Sequence, residues 1–150
     1  MVKQLSAETI LKRAKALDDA IEKSDTEEII SHFSDNCEIQ LLGIKLTGKE
    51  GLKKAINWMF RHLSQITLIP LTIMVDRNTF FEEFTMKTII RGGKEIQVNQ
   101  SEVLVYDDEY KVTSLRLYFD RLELAVAYTT SPVEKIMVSL INKASLKGLL

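Results

Sequence analysis

The chain contains one cysteine, two histidines and two prolines in 150 residues, and these shortages exclude whole classes of chemistry. A single cysteine cannot form an internal disulfide, and so few thiols and imidazoles argue against a dedicated zinc site. Charge of one sign is lacking too, since 20 Lys and Arg oppose 21 Asp and Glu. This balance gives no general attraction to nucleic acid or to an anionic membrane. Any chemistry must therefore rest mainly on carboxylates, Arg, Lys and Tyr.

Long apolar runs are also missing. The segment MVKQLSAETILKRAKALDDA is charged throughout and has no apolar signal-peptide core. No stretch approaches the roughly 20 apolar residues that a membrane-crossing helix needs. We therefore expect a cytoplasmic protein with no membrane partner and an amphipathic final helix at about 131–147. Because repeats and Pro/Gly-rich linkers are absent, we expect a single domain over residues 1–150.

The hydrophobic period changes along the chain. Apolar residues recur every three or four positions in the first third and again in 52–63, which predicts helices, with Ser6 and Asp25 or Thr26 as caps. A turn at 34–36 and a strand at 37–43 separate these helical regions. From Ile66 the period is two, and it predicts strands at 67–75, 79–90, 95–106 and 111–120, with turns at 92–93 and 107–108. This order predicts an α+β domain with N-terminal helices packed on a curved antiparallel sheet.

Three local stretches resemble the nuclear transport factor 2-like superfamily, which includes SnoaL-like polyketide cyclases, ketosteroid isomerase and limonene epoxide hydrolase. They are residues 33–39, 46–52 and 115–120, the last being similar to the W-R-D-Y-F-D type of final strand. The resemblance covers roughly Ala7 to Leu124. It implies a cystatin-like cone with a mostly apolar pocket between the concave sheet and the helices. It does not identify the reaction, because one fold carries many functions.

The final strand divides into two rows, because residues two apart on a strand share a face. One row contains Leu115, Leu117 and Phe119, and the other contains Arg116, Tyr118 and Asp120. The resemblance places the catalytic Asp of the cyclases and the epoxide hydrolase at Leu117, so that acid is missing. Asp120 remains a candidate catalytic residue, although by parity it faces the other way. Arg116 and Tyr118 are expected to form a homodimer interface on the outer sheet face.

One carboxylate matches a functional position of the family. Glu102 falls where the isomerase has the protonated Asp of its oxyanion hole. Together with Gln100 it interrupts an otherwise apolar row of the strand 95–106, formed by Ile96, Val98, Leu104 and Tyr106. Burial would raise the pKa of Glu102, so that it could donate a proton near neutral pH. The alternative is that Glu102 pairs with Lys or Arg or lies near a sheet edge.

The strand 79–90 allows two orientations. Its period-two pattern puts Glu82 on the apolar face with Phe80, Phe84, Met86 and Ile90, whereas similarity to the E-R-V-D stretch of the epoxide hydrolase puts Glu83 inward. Glu83 is therefore a candidate ligand-binding residue. Trp58 and Phe60 of the third predicted helix could form the pocket floor, with core packing as their alternative. Leu115, Leu117 and Phe119 are expected to line the same pocket.

Two functions remain open. The first is a cofactor-independent isomerase- or cyclase-type enzyme for a small hydrophobic organic molecule, with Glu102 as acid and Gln100 orienting the ligand. The second is a non-catalytic dimeric module for ligand binding or protein interaction. The missing acid at Leu117 favours the second, and the pair Gln100/Glu102 favours the first. Neither needs a cofactor or a metal, and phosphate-loop and dinucleotide motifs are absent.

Overall fold

The computed structural model describes residues 4–149, which divide into two compact units at the bond between Phe119 and Asp120. The elements of the first unit are α1 (Ala7–Glu22), α2 (Thr26–Ser31), β1 (Phe33–Leu41), β2 (Ile44–Thr47), α3 (Gly48–His62), β3 (Leu63–Asp76), β4 (Thr79–Ile90), β5 (Glu95–Tyr106) and β6 (Val112–Phe119). The second unit contains α4 (Arg121–Tyr128) and α5 (Pro132–Ser145). The final helix predicted at about 131–147 is thus present as α5.

Six strands form one curved sheet in the order β2-β1-β6-β5-β4-β3. The strands from β3 to β6 are the antiparallel meander that the period of two predicted, and β4 and β5 have the predicted bounds. β1 joins this meander by pairing in parallel with β6, so the complete sheet is mixed. The predicted α+β class, with helices preceding a curved sheet, is confirmed.

Helix α1 packs on the inner face of this sheet. It begins at the predicted cap Ser6, whose hydroxyl accepts a hydrogen bond from the Thr9 backbone N–H at 3.3 Å. Its buried residues recur at three- and four-residue spacing and join one core with sheet residues; the helix contributes Ile10, Ala14, Leu17 and Ala20, and the sheet contributes Phe80, Leu104, Tyr106 and Val112. This packing brings the side chains that follow α1's apolar face close to β4 and β5.

The first strands differ from the prediction. The segment 34–36, expected as a turn, lies inside β1, where the pairing with β6 shifts register between Phe33 and Glu38. This bulge lets the polar residues leave the ladder while Phe33 and Cys37 stay buried. β2 was not predicted, because it is a short edge strand that pairs only with β1. β3 begins before the expected residue 67, and a register shift between Ser64 and Thr67 hides its period.

The second unit is a pair of capped helices. Asp120 caps α4, since its Oδ1 accepts a hydrogen bond from the Leu122 backbone N–H at 2.8 Å. Ser131 and Glu134 form a capping box at the start of α5. α4 was not predicted, because its eight residues are mostly apolar and show no helical period. Within residues 4–149, no helix combines the length and apolar character that crossing a bilayer requires.

Candidate functional site

Two glutamates face each other on the inner surface of the sheet. Glu82 of β4 and Glu102 of β5 are direct partners in the antiparallel register. Their side chains are only 2% and 7% exposed. Opposite partners on neighbouring strands share a face and lie close together, and two like charges in such a pair repel. This pair is therefore stable only if at least one of the two carboxyl groups is neutral or a cation is bound.

Helix α1 adds a third carboxyl group from Asp18, which follows the buried Leu17 and is half-buried. One carboxyl oxygen each from Asp18, Glu82 and Glu102 lie within 4.8 Å of one another, and these three residues are called the carboxyl cluster below. Asp18 and Glu82 are joined by a side-chain hydrogen bond. The ion pairs found within residues 4–149 involve other carboxylates, so no Lys or Arg described there neutralises the cluster.

The surroundings favour the protonated forms of these acids. Burial, together with the charges of Glu102 and Glu82, raises the pKa of Asp18 to about 9. Burial and the charge of Glu82 raise the pKa of Glu102 to about 8. Burial also raises the pKa of Glu82, but the hydrogen bond with Asp18 opposes that rise. At neutral pH the cluster thus contains protonated acids that can donate a proton. Glu82 is the member whose ionised form is stabilised by a hydrogen bond, the one with Asp18.

Oxygen atoms this close could either share protons or hold a hard divalent cation, which prefers oxygen ligands. The hydrogen bond between Asp18 and Glu82 is the first of these arrangements. A proton shared between Asp18 and Glu82 lowers the net charge of the cluster without an ion. The cluster can therefore provide a proton donor and a proton acceptor side by side.

Tyr106 is a further polar group on the inner row of β5. Its side chain is 2% exposed, and its hydroxyl has no hydrogen-bond partner within the described part of the chain. Burial, then the charges of Glu102 and Asp18, raise the pKa of Tyr106 above its ordinary value. The phenol is therefore neutral and its donor is unused, which is costly for a buried group. A ligand oxygen could satisfy it.

The structure brings several residues singled out in the sequence together on this inner face. Gln100 is buried, and its amide donates to the Met86 sulfur at 3.8 Å. Leu117 is the direct β6 partner of Glu102. The other two expected lining residues of β6 pair with inner-row positions of β5, Leu115 with Leu104 and Phe119 with Gln100. All three β6 side chains are half-buried.

The inward placement expected for Glu83 is wrong. Its side chain is exposed on the opposite face from Glu82, and its Oε2 accepts a hydrogen bond from the Thr72 hydroxyl at 3.1 Å. The period-two pattern decides the orientation, because Phe80, Phe84 and other large apolar residues of the row must be buried together. Glu82 therefore takes the inward position that similarity to the hydrolase assigned to its neighbour.

The remaining predicted residues are not members of the carboxyl cluster. Trp58 is exposed on α3, where its ring lies 5.2 Å from that of His62, whereas Phe60 is half-buried and packs against the core. Asp120 belongs to the second unit, and its carboxylate is engaged as the α4 cap. Arg116 and Tyr118 alternate with the inner row of β6, and Tyr118 is exposed.

Sequence reasoning missed Asp18 altogether and left Glu82 undecided. The signal for Glu82 was present, since it is the polar member of an apolar row in 79–90. Asp18 had no comparable signal, because a charged residue beside a helix's apolar face is ordinary in a sequence. Only the packing of α1 on β4 brings its carboxyl group to Glu82.

A groove lies elsewhere on the sheet and has a volume of about 280 Å³. It is lined by Gln65, Ile66, Thr67, Lys87, Thr88, Ile89 and Glu95. These residues include no member of the carboxyl cluster and none of the residues that the sequence singled out. We therefore assign the candidate site to the carboxyl cluster, because its closely spaced acids have raised pKa values.

No family model matches the sequence, and no curated protein matches it significantly. Solved structures do match. A putative SnoaL-like polyketide cyclase from Jannaschia sp. CCS1 is 12% identical with a TM-score of 0.74, over 87% of this chain and 99% of the other. An NTF2-like protein of unknown function from Burkholderia pseudomallei K96243 is 12% identical with a TM-score of 0.73, over 81% and 98%.

SalBIII is a third similar structure, described as an epoxide hydrolase/cyclase-like enzyme in pyran ring formation in the polyether salinomycin. It is 12% identical with a TM-score of 0.69, over 77% of this chain and 94% of its own. Identities this low establish the architecture and not the activity. The helices, the curved sheet and these neighbours agree with the resemblance of the three sequence stretches, and the chain has the nuclear transport factor 2-like fold.

Proposed function

We propose that the first unit binds a small organic molecule at the carboxyl cluster and moves a proton on it without a cofactor, as an isomerase- or cyclase-type enzyme. The observation that carries this proposal is the register pair Glu82/Glu102, two buried carboxyls with different tendencies to hold a proton. Titratable neighbours whose pKa values are pushed apart are the usual basis for assigning acid and base roles. The cyclase and the epoxide hydrolase/cyclase-like enzyme among the structural neighbours support this choice of reaction class.

In this proposal Glu82 is the base and Glu102 the acid. For a carbonyl compound, the Glu82 carboxylate removes a proton from the carbon next to the carbonyl. The electron pair of that C–H bond moves toward the carbonyl oxygen, where Glu102 donates a hydrogen bond or its proton. Asp18 stabilises the ionised form of Glu82 by hydrogen bonding. Return of a proton to carbon, at the same or another position, completes exchange or isomerisation.

Neighbouring residues suit this arrangement. The sequence resemblance implies a catalytic acid at the position of Leu117, which this chain lacks. The cluster supplies carboxyl groups from α1, β4 and β5 instead. Gln100 and Phe119 lie one inner-row position along from Glu102 and Leu117 and would orient the ligand. The hydroxyl of Tyr106 would give the ligand oxygen a second donor. We propose that this activity is cytoplasmic.

A direct test follows the exchange of carbon-bound protons. The full chain is incubated in D₂O with 2-tetralone or cyclohexanone, and proton NMR measures loss of the signal next to the carbonyl. We expect exchange faster than in buffer, loss of that acceleration of at least about tenfold in Glu82→Gln or Glu102→Gln, and retention in Glu83→Gln. The control is matched, because Glu83 is the exposed neighbour on the same strand. Equal exchange in all three variants would contradict the assignment.

The second candidate function is a non-catalytic dimeric module, and a specific observation favours it: Leu117 replaces the family acid, while Tyr118 is exposed on the outer row. The partner would be a second copy bound through Arg116 and Tyr118, which are residue types favoured at interfaces. Light scattering on the Arg116→Glu/Tyr118→Ala variant would then report monomer. An unchanged dimer would reject this outer-face interface.

A further inference from the structure

Helix α1 carries an arginine that has no anion beside it. Arg13 lies four residues before the buried Leu17, so both side chains leave the helix on the same face. Arg13 is half-buried, and its Nε–H is shielded from solvent and finds no hydrogen-bond acceptor among residues 4–149. The ion pairs described there do not include it. Buried charges are generally paired, because an uncompensated charge away from water is costly.

A carboxylate does lie in this region, but it is engaged by another residue. Burial and the charge of Arg13 lower the pKa of His32, against an opposing effect of Glu28. The Oε1 atom of Glu28 lies 3.2 Å from the Nε2 atom of His32. Within the described part of the chain, the ion pair of Glu28 is therefore with His32 and not with Arg13. The guanidinium donors of Arg13 remain available to a ligand.

The hydroxyl of Tyr106 lies within electrostatic range of both Arg13 and the carboxyl cluster. Burial and the charges of Glu102 and Asp18 raise the pKa of Tyr106. The positive charge of Arg13 opposes that rise. Leu17 and Tyr106 also belong to one hydrophobic core, so the face of α1 that carries Arg13 packs toward this tyrosine. Two buried donors without acceptors, the Arg13 Nε–H and the Tyr106 hydroxyl, thus adjoin one core and indicate a ligand with two acceptor groups.

The spacing along α1 sets the size of such a ligand. Arg13 and Asp18 are five residues apart, which is about 7.5 Å along the helix axis. A small molecule can therefore reach the cluster with one end and Arg13 with the other. The planar fork of a guanidinium matches a carboxylate, which accepts two parallel hydrogen bonds. A phosphate would bring about twice the negative charge toward three acids, so a carboxylate suits this site better.

We propose that Arg13 binds a carboxylate of the substrate, and that the substrates are small oxo-carboxylic acids whose carbonyl lies at the carboxyl cluster. The placement of the carbonyl rests on the function proposed above, whereas the binding of the carboxylate does not. Arg13 then selects acids over neutral ketones of the same size. It also positions the molecule, with the carbon next to the carbonyl against Glu82 and the carbonyl oxygen against Glu102.

The test separates binding from catalysis. The ¹⁵N-labelled full chain is titrated at neutral pH with cyclohexanecarboxylate or cyclohexanecarboxamide, and NMR chemical shifts give both affinities. These ligands share a ring and lack a ketone, so proton transfer plays no part. We expect the carboxylate to bind at least about tenfold more tightly than the amide. The Nε–H signal of Arg13, identified by its absence from Arg13→Lys, should move with the carboxylate and not with the amide.

Two substitutions localise the effect. Arg13→Gln should bring the two affinities within about twofold of each other. Arg61→Gln, the same change at an exposed arginine of α3, should keep the preference. Far-UV circular dichroism checks that both variants are folded. Equal affinities in the wild type, no binding of the carboxylate up to about 10 mM, an unmoved Arg13 signal or a preference that survives in Arg13→Gln would overturn the proposal.

A failure of proton transfer gives a different result. In the D₂O assay, 4-oxocyclohexanecarboxylate should exchange the protons next to its ketone faster than cyclohexanone at the same concentration. No accelerated exchange of either ketone, together with a carboxylate preference that depends on Arg13, would reject the proton transfer and retain the carboxylate site.

Discussion

The two units depart from the ordinary distribution of residues in opposite ways. The first unit brings three carboxyl groups together at the inner face of its sheet, two of them buried, and the second exposes five large apolar side chains on α5. Buried polar groups and exposed apolar patches are the informative exceptions in a folded protein. The buried acids can be neutralised within the chain by protons. The exposed side chains of α5 are apolar and cannot be neutralised in this way.

The largest expected effect is a difference in stability between two variants. The same substitution, Leu to Ala, is made once in each unit. Leu104 is fully buried in the first core, so Leu104→Ala should lower the free energy of unfolding of that unit by about 2–5 kcal/mol. Leu140→Ala should change it by less than about 0.5 kcal/mol, because that side chain is exposed. Urea denaturation followed by the fluorescence of Trp58, which lies in the first unit, measures both. Equal losses would break the comparison.

A smaller effect depends on pH. The pKa of Glu102 is raised in the folded state, so the folded chain keeps a proton that the unfolded chain releases above about pH 4. The contribution of Glu102 is therefore fully present below about pH 4 and is lost as pH rises through about 8. Glu102→Gln cannot ionise, so relative to the wild type it should gain roughly 1–3 kcal/mol at pH 8–9 and little at pH 4.

Unfolding free energies at several pH values test this, with Glu83→Gln as the matched control. That exposed variant should differ from the wild type by a small amount that does not vary in this pH window. A difference for Glu102→Gln that is the same at pH 4 and pH 9 would show that its carboxyl group is not held in the neutral form.

The smallest effect concerns two tyrosines. Tyr106→Phe removes a buried hydroxyl that has no partner among residues 4–149, so stability should stay constant or rise by up to about 1 kcal/mol. Tyr110→Phe removes a hydroxyl that accepts a hydrogen bond from the Ser6 backbone N–H at 3.0 Å, and should cost about 0.5–1.5 kcal/mol. Thermal unfolding of both variants measures the contrast. A clear loss in Tyr106→Phe would mean that its hydroxyl is bonded in solution.

Local patterns predicted much of this architecture but little of the cluster. Strict alternation gave the bounds of β4 and β5 and the inward direction of Glu102, because burial of one face controls strand orientation. Asp18 could not be found in this way. Its contact with Glu82 depends on how α1 packs across the sheet. A contact between segments so distant in sequence produces no periodic pattern in the sequence. The parallel pairing of β1 with β6 was hidden for the same reason.

The register of the sheet links the cluster to distant turns. Ile73, Glu82, Glu102 and Leu117 are successive partners across four strands. Gly92 and Gly93, both at positive φ, set the offset between β4 and β5 at the hairpin far from the carboxyl groups. A residue inserted there must either be accommodated within the turn or shift the register that places Glu82 opposite Glu102. The length of this hairpin therefore helps to set the alignment of the two carboxyl groups, although it lies far from them along the strands.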